Sequence, residues 1–176
     1  MKIKISLLVF AFLASLSTFS QQVDKKDDIL RYDHAIGIGA GFTTGFGFSY
    51  KYCPNKYGFM INVGPYSQNY GELATYSLGL TFLKKIAENP YNNFYVYLSN
   101  SYLYNRYQTY NYFSTYTQIA YETTEQWNTG LGIGFEFDAR KRVVMNIMVG
   151  YAQYNTFQNL FPTIEASLHY RFNGSF

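Results

Sequence analysis

The stretch Leu131–Tyr151, LGIGFEFDARKRVVMNIMVGY, contains two runs of alternating residues on either side of a charged turn. Bulky side chains occupy every second position of both runs: Leu131, Ile133, Phe135 and Phe137, then Met145, Ile147, Val149 and Tyr151. A period of two residues is typical of β-strands, whose successive side chains point to opposite faces. The bulky face has to be buried, either in a protein core or in lipid.

The same alternation continues outward from this stretch in both directions. It predicts eight strands between His34 and Phe172, joined by tight turns at residues 53–56, 87–93 and 138–141 and by longer connections between them. The largest connection spans residues 105–126, whereas the link between the first two strands is short. Short turns at one end and longer loops at the other are the layout of an up-and-down outer-membrane barrel with both termini in the periplasm.

The first twenty residues have the pattern of a secretory signal peptide. Lys2 and Lys4 precede an apolar run, and small residues at Thr18 and Ser20 suit a cleavage site. We expect a signal peptide at 1–20, a short periplasmic tail at 21–33 and the barrel at 34–176. Without Lys2 and Lys4 the basic and acidic side chains nearly balance, which gives no reason to expect a nucleic-acid partner.

Two further patterns favour lipid over a soluble core. Glycines lie between the bulky residues, and inside a narrow barrel glycine makes room for neighbouring side chains. Aromatic residues cluster near the short turns (Tyr50, Tyr52, Tyr57, Phe59, Phe94, Phe135, Phe137, Tyr170 and Phe172) and near the loops (Tyr102, Tyr104, Trp127, Tyr151 and Tyr154). Such belts match the two interfaces of a membrane. A secreted soluble β-sandwich is the alternative, because its strands also alternate.

With these features, residues 34–172 resemble the small eight-stranded outer-membrane barrels of the OmpX/OmpA kind found in Gram-negative bacteria. The resemblance implies an all-β transmembrane barrel in the outer membrane, surrounded by lipid. The last strand, EASLHYRF at Glu165–Phe172, resembles the signal that the barrel-assembly machinery reads. Because Asn173, Gly174 and Ser175 precede a final Phe176, either Phe172 or Phe176 can serve as the terminal aromatic.

Motifs for catalysis are absent from the sequence. It has no Gly-x-Ser-x-Gly, His-Glu-x-x-His or phosphate loop, and its single cysteine and two distant histidines offer no metal site. We therefore expect neither enzymatic activity nor a cofactor. The alternative is a lipid-modifying enzyme, since lipid A deacylases of this size resemble a His-x-Ser pair. Here His169 is followed by Tyr170 and Arg171, and the register turns it inward.

Four charged residues are predicted to face the lumen: Lys51, Glu136, Glu165 and Arg171. Charges inside a narrow barrel must pair, so a structural network is favoured over a conduction path. We expect Glu136 to bridge Arg171, Lys51 or both, with Tyr97 or Asn146 completing its hydrogen bonds.

The connection 105–126 is rich in tyrosine among small polar residues, which is also the composition of antibody binding loops. Its flanks alternate, so the two strands can project beyond the membrane with exposed edges that pair with a partner strand. The candidate binding residues are Tyr107, Tyr110, Tyr112, Tyr116 and Tyr121, and the candidate partner is an extracellular protein or glycan. Tyrosines that only pack on each other are the alternative, so the sequence predicts a structural or a surface-binding role.

Overall fold

A computed structural model describes residues 32–68, 73–89, 91–113, 116–137, 142–155 and 159–173. The signal peptide expected at 1–20, most of the tail expected at 21–33, the turn at 138–141 and Phe176 lie outside these residues. The described chain forms eight strands: β1 (His34–Ala40), β2 (Gly47–Tyr52), β3 (Tyr57–Gln68), β4 (Leu73–Glu88), β5 (Asn92–Phe113), β6 (Tyr116–Phe137), β7 (Val143–Tyr154) and β8 (Asn159–Phe172).

The strands form one closed antiparallel barrel in sequence order, because β1 also pairs with β8. The predicted up-and-down barrel is therefore confirmed, and the β-sandwich alternative is wrong. Each strand pairs with its neighbours in the chain, so hydrogen bonding between adjacent segments satisfies the backbone without a free sheet edge in the wall. In the described residues no helix is long and apolar enough to cross a membrane.

Strands β5 and β6 are longer than the sequence predicts. The sequence predicts a loop at 105–126 whose alternating flanks can project as a hairpin, and β5 and β6 stay paired through this region up to the pair Phe113 and Tyr116. The tyrosine- and threonine-rich composition favours strands, and each described residue of this region has a partner directly across the hairpin. β4 pairs with β5 only as far as Arg106, and β7 pairs with β6 only as far as Thr129. We call residues 107–113 and 116–122, where neither strand lies against the wall, the projecting hairpin.

Candidate functional site

The barrel has the opposite polarity to a soluble protein. Its outward face carries large apolar side chains, such as Ile164 at 71% exposure and Ile133 at 53%. Its interior holds polar ones, and Asn62, Glu136 and His169 are each 1% exposed. Lipid is the solvent that accepts an apolar exterior on a closed barrel. The protein is therefore an outer-membrane-type barrel with lipid around its wall. Following the layout expected from the sequence, we call the end that carries both termini the periplasmic end and the opposite end, which carries the projecting hairpin, the extracellular end.

Ring contacts form at both ends of this apolar wall. Near the periplasmic turns, the ring of Phe94 lies 4.5 Å from that of Phe135, and the ring of Tyr52 lies 5.7 Å from that of Phe59. Near the extracellular end, the rings of Tyr102 and Trp127 are 5.0 Å apart. These groups correspond to the two predicted aromatic belts, which hold a barrel at a fixed depth.

The periplasmic half of the lumen contains a charge cluster that we define as Lys51, Glu136 and Arg171. Lys51 Nζ lies 2.5 Å from Glu136 Oε2, and Arg171 Nη2 is ion-paired with Glu136 Oε1. Asn93 Nδ2 donates to Glu136 Oε1 at 2.8 Å. The three charged residues meet because β2, β6 and β8 all reach the periplasmic end with these positions turned inward.

Two parts of the lumen prediction need correction. Glu165 lies apart from the charge cluster, because it is six positions before Arg171 in β8, which is about 20 Å of extended strand. It instead accepts hydrogen bonds from the backbone N–H and the hydroxyl of Thr43. Tyr97 does not complete the bonds of Glu136. Asn93 takes that place. The sequence puts Asn93 in the predicted turn at 87–93, whereas β5 already begins at Asn92, so the side chain of Asn93 faces the lumen.

Asn146 joins the charge cluster to a second group of buried side chains. Its Oδ1 accepts from Tyr95 Oη at 2.9 Å and from Lys51 Nζ at 3.5 Å. Its Nδ2 donates to Ser167 Oγ at 3.1 Å and to His169 Nδ1 at 2.9 Å. Lys51 can only donate, which fixes the orientation of the amide. A small cavity of about 30 Å³ beside the cluster suits one or two water molecules and is too small for a solute path.

Ser49, His169 and Asn146 have the spacing of a nucleophile, a base and an orienting group. His169 Nε2 lies 2.8 Å from Ser49 Oγ, and its Nδ1 faces the Asn146 amide. With the amide NH2 of Asn146 facing Nδ1, the matching neutral tautomer of His169 carries its proton on Nε2 and donates to Ser49, whereas a general base accepts at this position. Both Ser49 and His169 are also buried, at 4% and 1% exposure, away from any lipid acyl chain.

Sequence reasoning missed that the chain itself fills the extracellular half of the lumen. Residues 41–46, which connect β1 to β2 and which we call the link, bury Thr43 and Thr44 completely within the barrel. The signal was the unusually short connection at the loop end, which contains Gly41 and Gly45 and is followed by Gly47. A short connection cannot cover the barrel mouth from outside, but it can turn into it.

The projecting hairpin separates the candidate tyrosines. Tyr107 and Tyr121 are 40% and 46% exposed, and the register places them on opposite faces, since Tyr107 pairs with Glu122 and Tyr121 with Gln108. Tyr107 Oη donates to Glu122 Oε2 at 2.8 Å, and this hydrogen bond raises the pKa of the Tyr107 phenol. The Arg106 guanidinium lies 4.5 Å from the centre of the Tyr121 ring. The side chains of Tyr110, Tyr112 and Tyr116 lie outside the described residues.

No protein-family model and no curated protein matches the chain. Solved structures of small barrels do. The N-terminal β-barrel domain of Pseudomonas aeruginosa OprF has a TM-score of 0.44 and 14% identity over 79% of this chain and 95% of that chain. Yersinia pestis Ail in a phospholipid nanodisc has a TM-score of 0.41 and 17% identity over 81% and 100%. Neisserial surface protein A has a TM-score of 0.38 and 16% identity over 79% and 93%. The chain is similar to each of them, while its own closed register, apolar exterior and polar interior identify it as a transmembrane barrel.

Proposed function

We propose that the protein is a non-enzymatic outer-membrane barrel that presents the projecting hairpin to a partner outside the cell. One observation carries the proposal: β5 and β6 remain paired with each other well past the last residues that pair with β4 and β7. In this region each strand has one edge that no described residue covers. A paired hairpin with free backbone edges is suited to adding a strand from an extracellular protein, and exposed tyrosines also suit a glycan.

The free edges lack the usual protection. Exposed edges in soluble proteins are commonly blocked by lysine, proline or a bulge. Residues 92–137 contain neither lysine nor proline, and the β5–β6 register runs without a shift. An unprotected edge favours pairing with another strand, which supports strand addition over a purely structural hairpin.

The binding proposal can be tested with a soluble peptide of alternating threonine and valine, capped by lysines at both ends. We expect it to bind the barrel in phospholipid nanodiscs, and expect no binding by a copy N-methylated at alternate residues, which cannot form the ladder. The matched control lacks residues 109–122 and carries Tyr107→Asn and Gln108→Gly, which join Arg106 to Thr123 by an Asn-Gly turn. Equal binding of both peptides, or binding to the shortened barrel, would refute strand addition.

The proposed absence of catalysis has its own test. The Ser49–His169 pair has the wrong proton placement and no access to lipid, so we expect no release of fatty acid from phospholipid or lipid A in detergent micelles. Hydrolysis that disappears in the Ser49→Ala variant would show that the barrel is an enzyme. A heat-dependent change of gel mobility would verify that both samples are folded.

We further propose that the last strand is read by the barrel-assembly machinery. Phe172 ends β8, and its ring stacks on His34 at 5.5 Å across the closing seam. Insertion into vesicles containing the assembly machinery should slow in a Phe172→Ala variant, with Phe176→Ala as the comparison. Equal slowing of insertion into pure lipid vesicles would assign Phe172 to barrel closure instead.

A further inference from the structure

The link between β1 and β2 lies inside the barrel. Connections normally run over a protein surface, because their backbone polar groups need water. In this link Thr43 is 0% exposed and Thr44 is 1% exposed. Gly45 has a φ of 77°, a left-handed conformation that suits glycine and allows the chain to turn back toward β2.

The barrel wall satisfies the link's polar groups. Inward side chains of five strands (β3, β4, β5, β6 and β8) bond to it. Ser101 Oγ and Asn128 Nδ2 donate to the carbonyl of Phe42 at 2.6 and 3.0 Å. Asn62 Nδ2 donates to the carbonyl of Thr44 at 2.9 Å, and the remaining bonds join Ser99 to Thr43, Thr43 to Glu165 and the Phe46 N–H to Ser77. The wall therefore forms a polar cup around this segment.

Glycines in the wall make space for the link. A Cβ atom added to Gly79 would overlap the carbonyl oxygen of Thr44, and one added to Gly130 would overlap the hydroxyl of Thr43. Both glycines occupy inward-facing positions, where any side chain would extend into the lumen and push the link out. The sequence thus leaves this space open at two strands that lie far apart in the chain.

A second, independent layer closes the lumen below the cup. Met60, Leu83, Tyr95, Tyr97 and Met148 form one buried cluster, and the charge cluster adjoins it, with Lys51 Nζ 4.9 Å from the centre of the Tyr95 ring. None of these side chains takes part in the hydrogen bonds that hold the link.

We propose that the link is a built-in plug of an outward-facing polar cup, and that the large side chains below close the barrel separately. The chain's own backbone is the occupant of the cup. Displacing the plug therefore opens a cup lined by serine, threonine, asparagine and glutamate to the outside, and it does not open a pore.

Thiol labelling tests the position of the plug. Cys53 is the single cysteine, so Cys53→Ser provides a thiol-free barrel. A Thr43→Cys barrel in this background should resist a small membrane-impermeant maleimide. Adding Gly79→Val should expel the link and permit labelling from the extracellular side, whereas Leu78→Val, the lipid-facing neighbour, should leave the thiol protected. The Thr43→Cys barrel should not conduct ions across a planar bilayer, either with or without Gly79→Val.

Each outcome decides a part of the proposal. Labelling of Thr43→Cys in the otherwise unchanged barrel, or protection that persists with Gly79→Val, would overturn the plug. Ion conductance with Gly79→Val would overturn the second layer. If Gly79→Val does not fold, the pair Thr43→Cys and Ser99→Cys decides, because their hydroxyls lie 2.7 Å apart. A disulfide there, and none between Thr43→Cys and Ser49→Cys, supports the plug, and failure to crosslink overturns it.

Discussion

Replacing Glu136 by glutamine should destabilise the barrel much more than replacing either of its cationic partners. Glu136 is 1% exposed, and its two oxygens serve Lys51, Arg171 and Asn93 together. Glutamine keeps the shape but removes the charge and replaces one accepting oxygen by a donating NH2 group, which leaves two cations facing each other in the lumen. A Lys51→Met change, in contrast, leaves Glu136 paired with Arg171.

The magnitude follows from how far the charges are removed from water. Removing one partner of a buried pair costs about 3–5 kcal/mol. The Lys51 and Arg171 side chains retain 9% and 11% exposure, so water at the periplasmic mouth lowers the penalty. We expect about 3 kcal/mol for Glu136→Gln and less than about 1 kcal/mol for Lys51→Met, because a neutral pair remains.

Urea unfolding in detergent micelles, followed by tryptophan fluorescence, measures these differences. With a slope of about 2 kcal/mol per M, the Glu136→Gln midpoint should fall by about 1.5 M. The double variant Lys51→Met/Glu136→Gln should recover part of the loss, since one cation is removed together with its partner. Equal losses of unfolding free energy in Glu136→Gln and Lys51→Met, or a double variant less stable than either single variant, would refute the claim that unpaired cations destabilise the Glu136→Gln barrel.

Three further changes probe the wall, the lumen and the projecting hairpin. Ile133→Lys places a charge on the lipid-facing wall and should cost about 2–4 kcal/mol of unfolding free energy in liposomes, while Tyr107→Lys, beyond the wall, should cost almost nothing. Asn146→Ala should lower stability by at least about 2 kcal/mol, because several buried groups lose a partner at once, whereas Ser167→Ala should lose far less. Deleting residues 109–122 should leave membrane insertion and heat-dependent gel mobility unchanged, and failed insertion would assign this segment to the wall.

The wall of the barrel could be predicted because every strand there obeys one simple rule. Side chains on one face meet lipid and those on the other meet the lumen, so the register of bulky residues such as Ile133 fixes the orientation of Glu136 and Lys51. When the side chains of Lys51, Glu136 and Arg171 all face the lumen near the same end of the barrel, they have few possible partners except each other. Glu165 was placed wrongly in this network because inward orientation alone says nothing about depth along the strand.

The link could not be predicted by the same rule. Its residues have no alternation, and its partners Asn62, Ser101 and Asn128 come from three strands whose inward polar side chains are equally compatible with a water-filled lumen. Only the closed barrel shows that Gly79 and Gly130 face one segment. The length of the projecting hairpin could not be predicted for a different reason. Tyrosine among threonine and glutamine fits either a loop or an exposed strand, and only the pairing between β5 and β6 decides between the two.

A tightly filled lumen also bears on how the projecting hairpin can bind. The link contacts inward side chains of β5 and β6 through Ser101 and its cross-strand partner Asn128, six residues along each strand from the projecting hairpin. The β5–β6 ladder that continues into the projecting hairpin is therefore held by the same hydrogen bonds that seat the plug. A strand edge held in a fixed direction loses less conformational entropy when a partner strand adds to it. If so, loosening the plug with Gly79→Val should weaken binding of the threonine–valine peptide without changing any residue of the projecting hairpin. Unchanged affinity in a folded Gly79→Val barrel with an exposed link would mean that the projecting hairpin binds independently of the lumen.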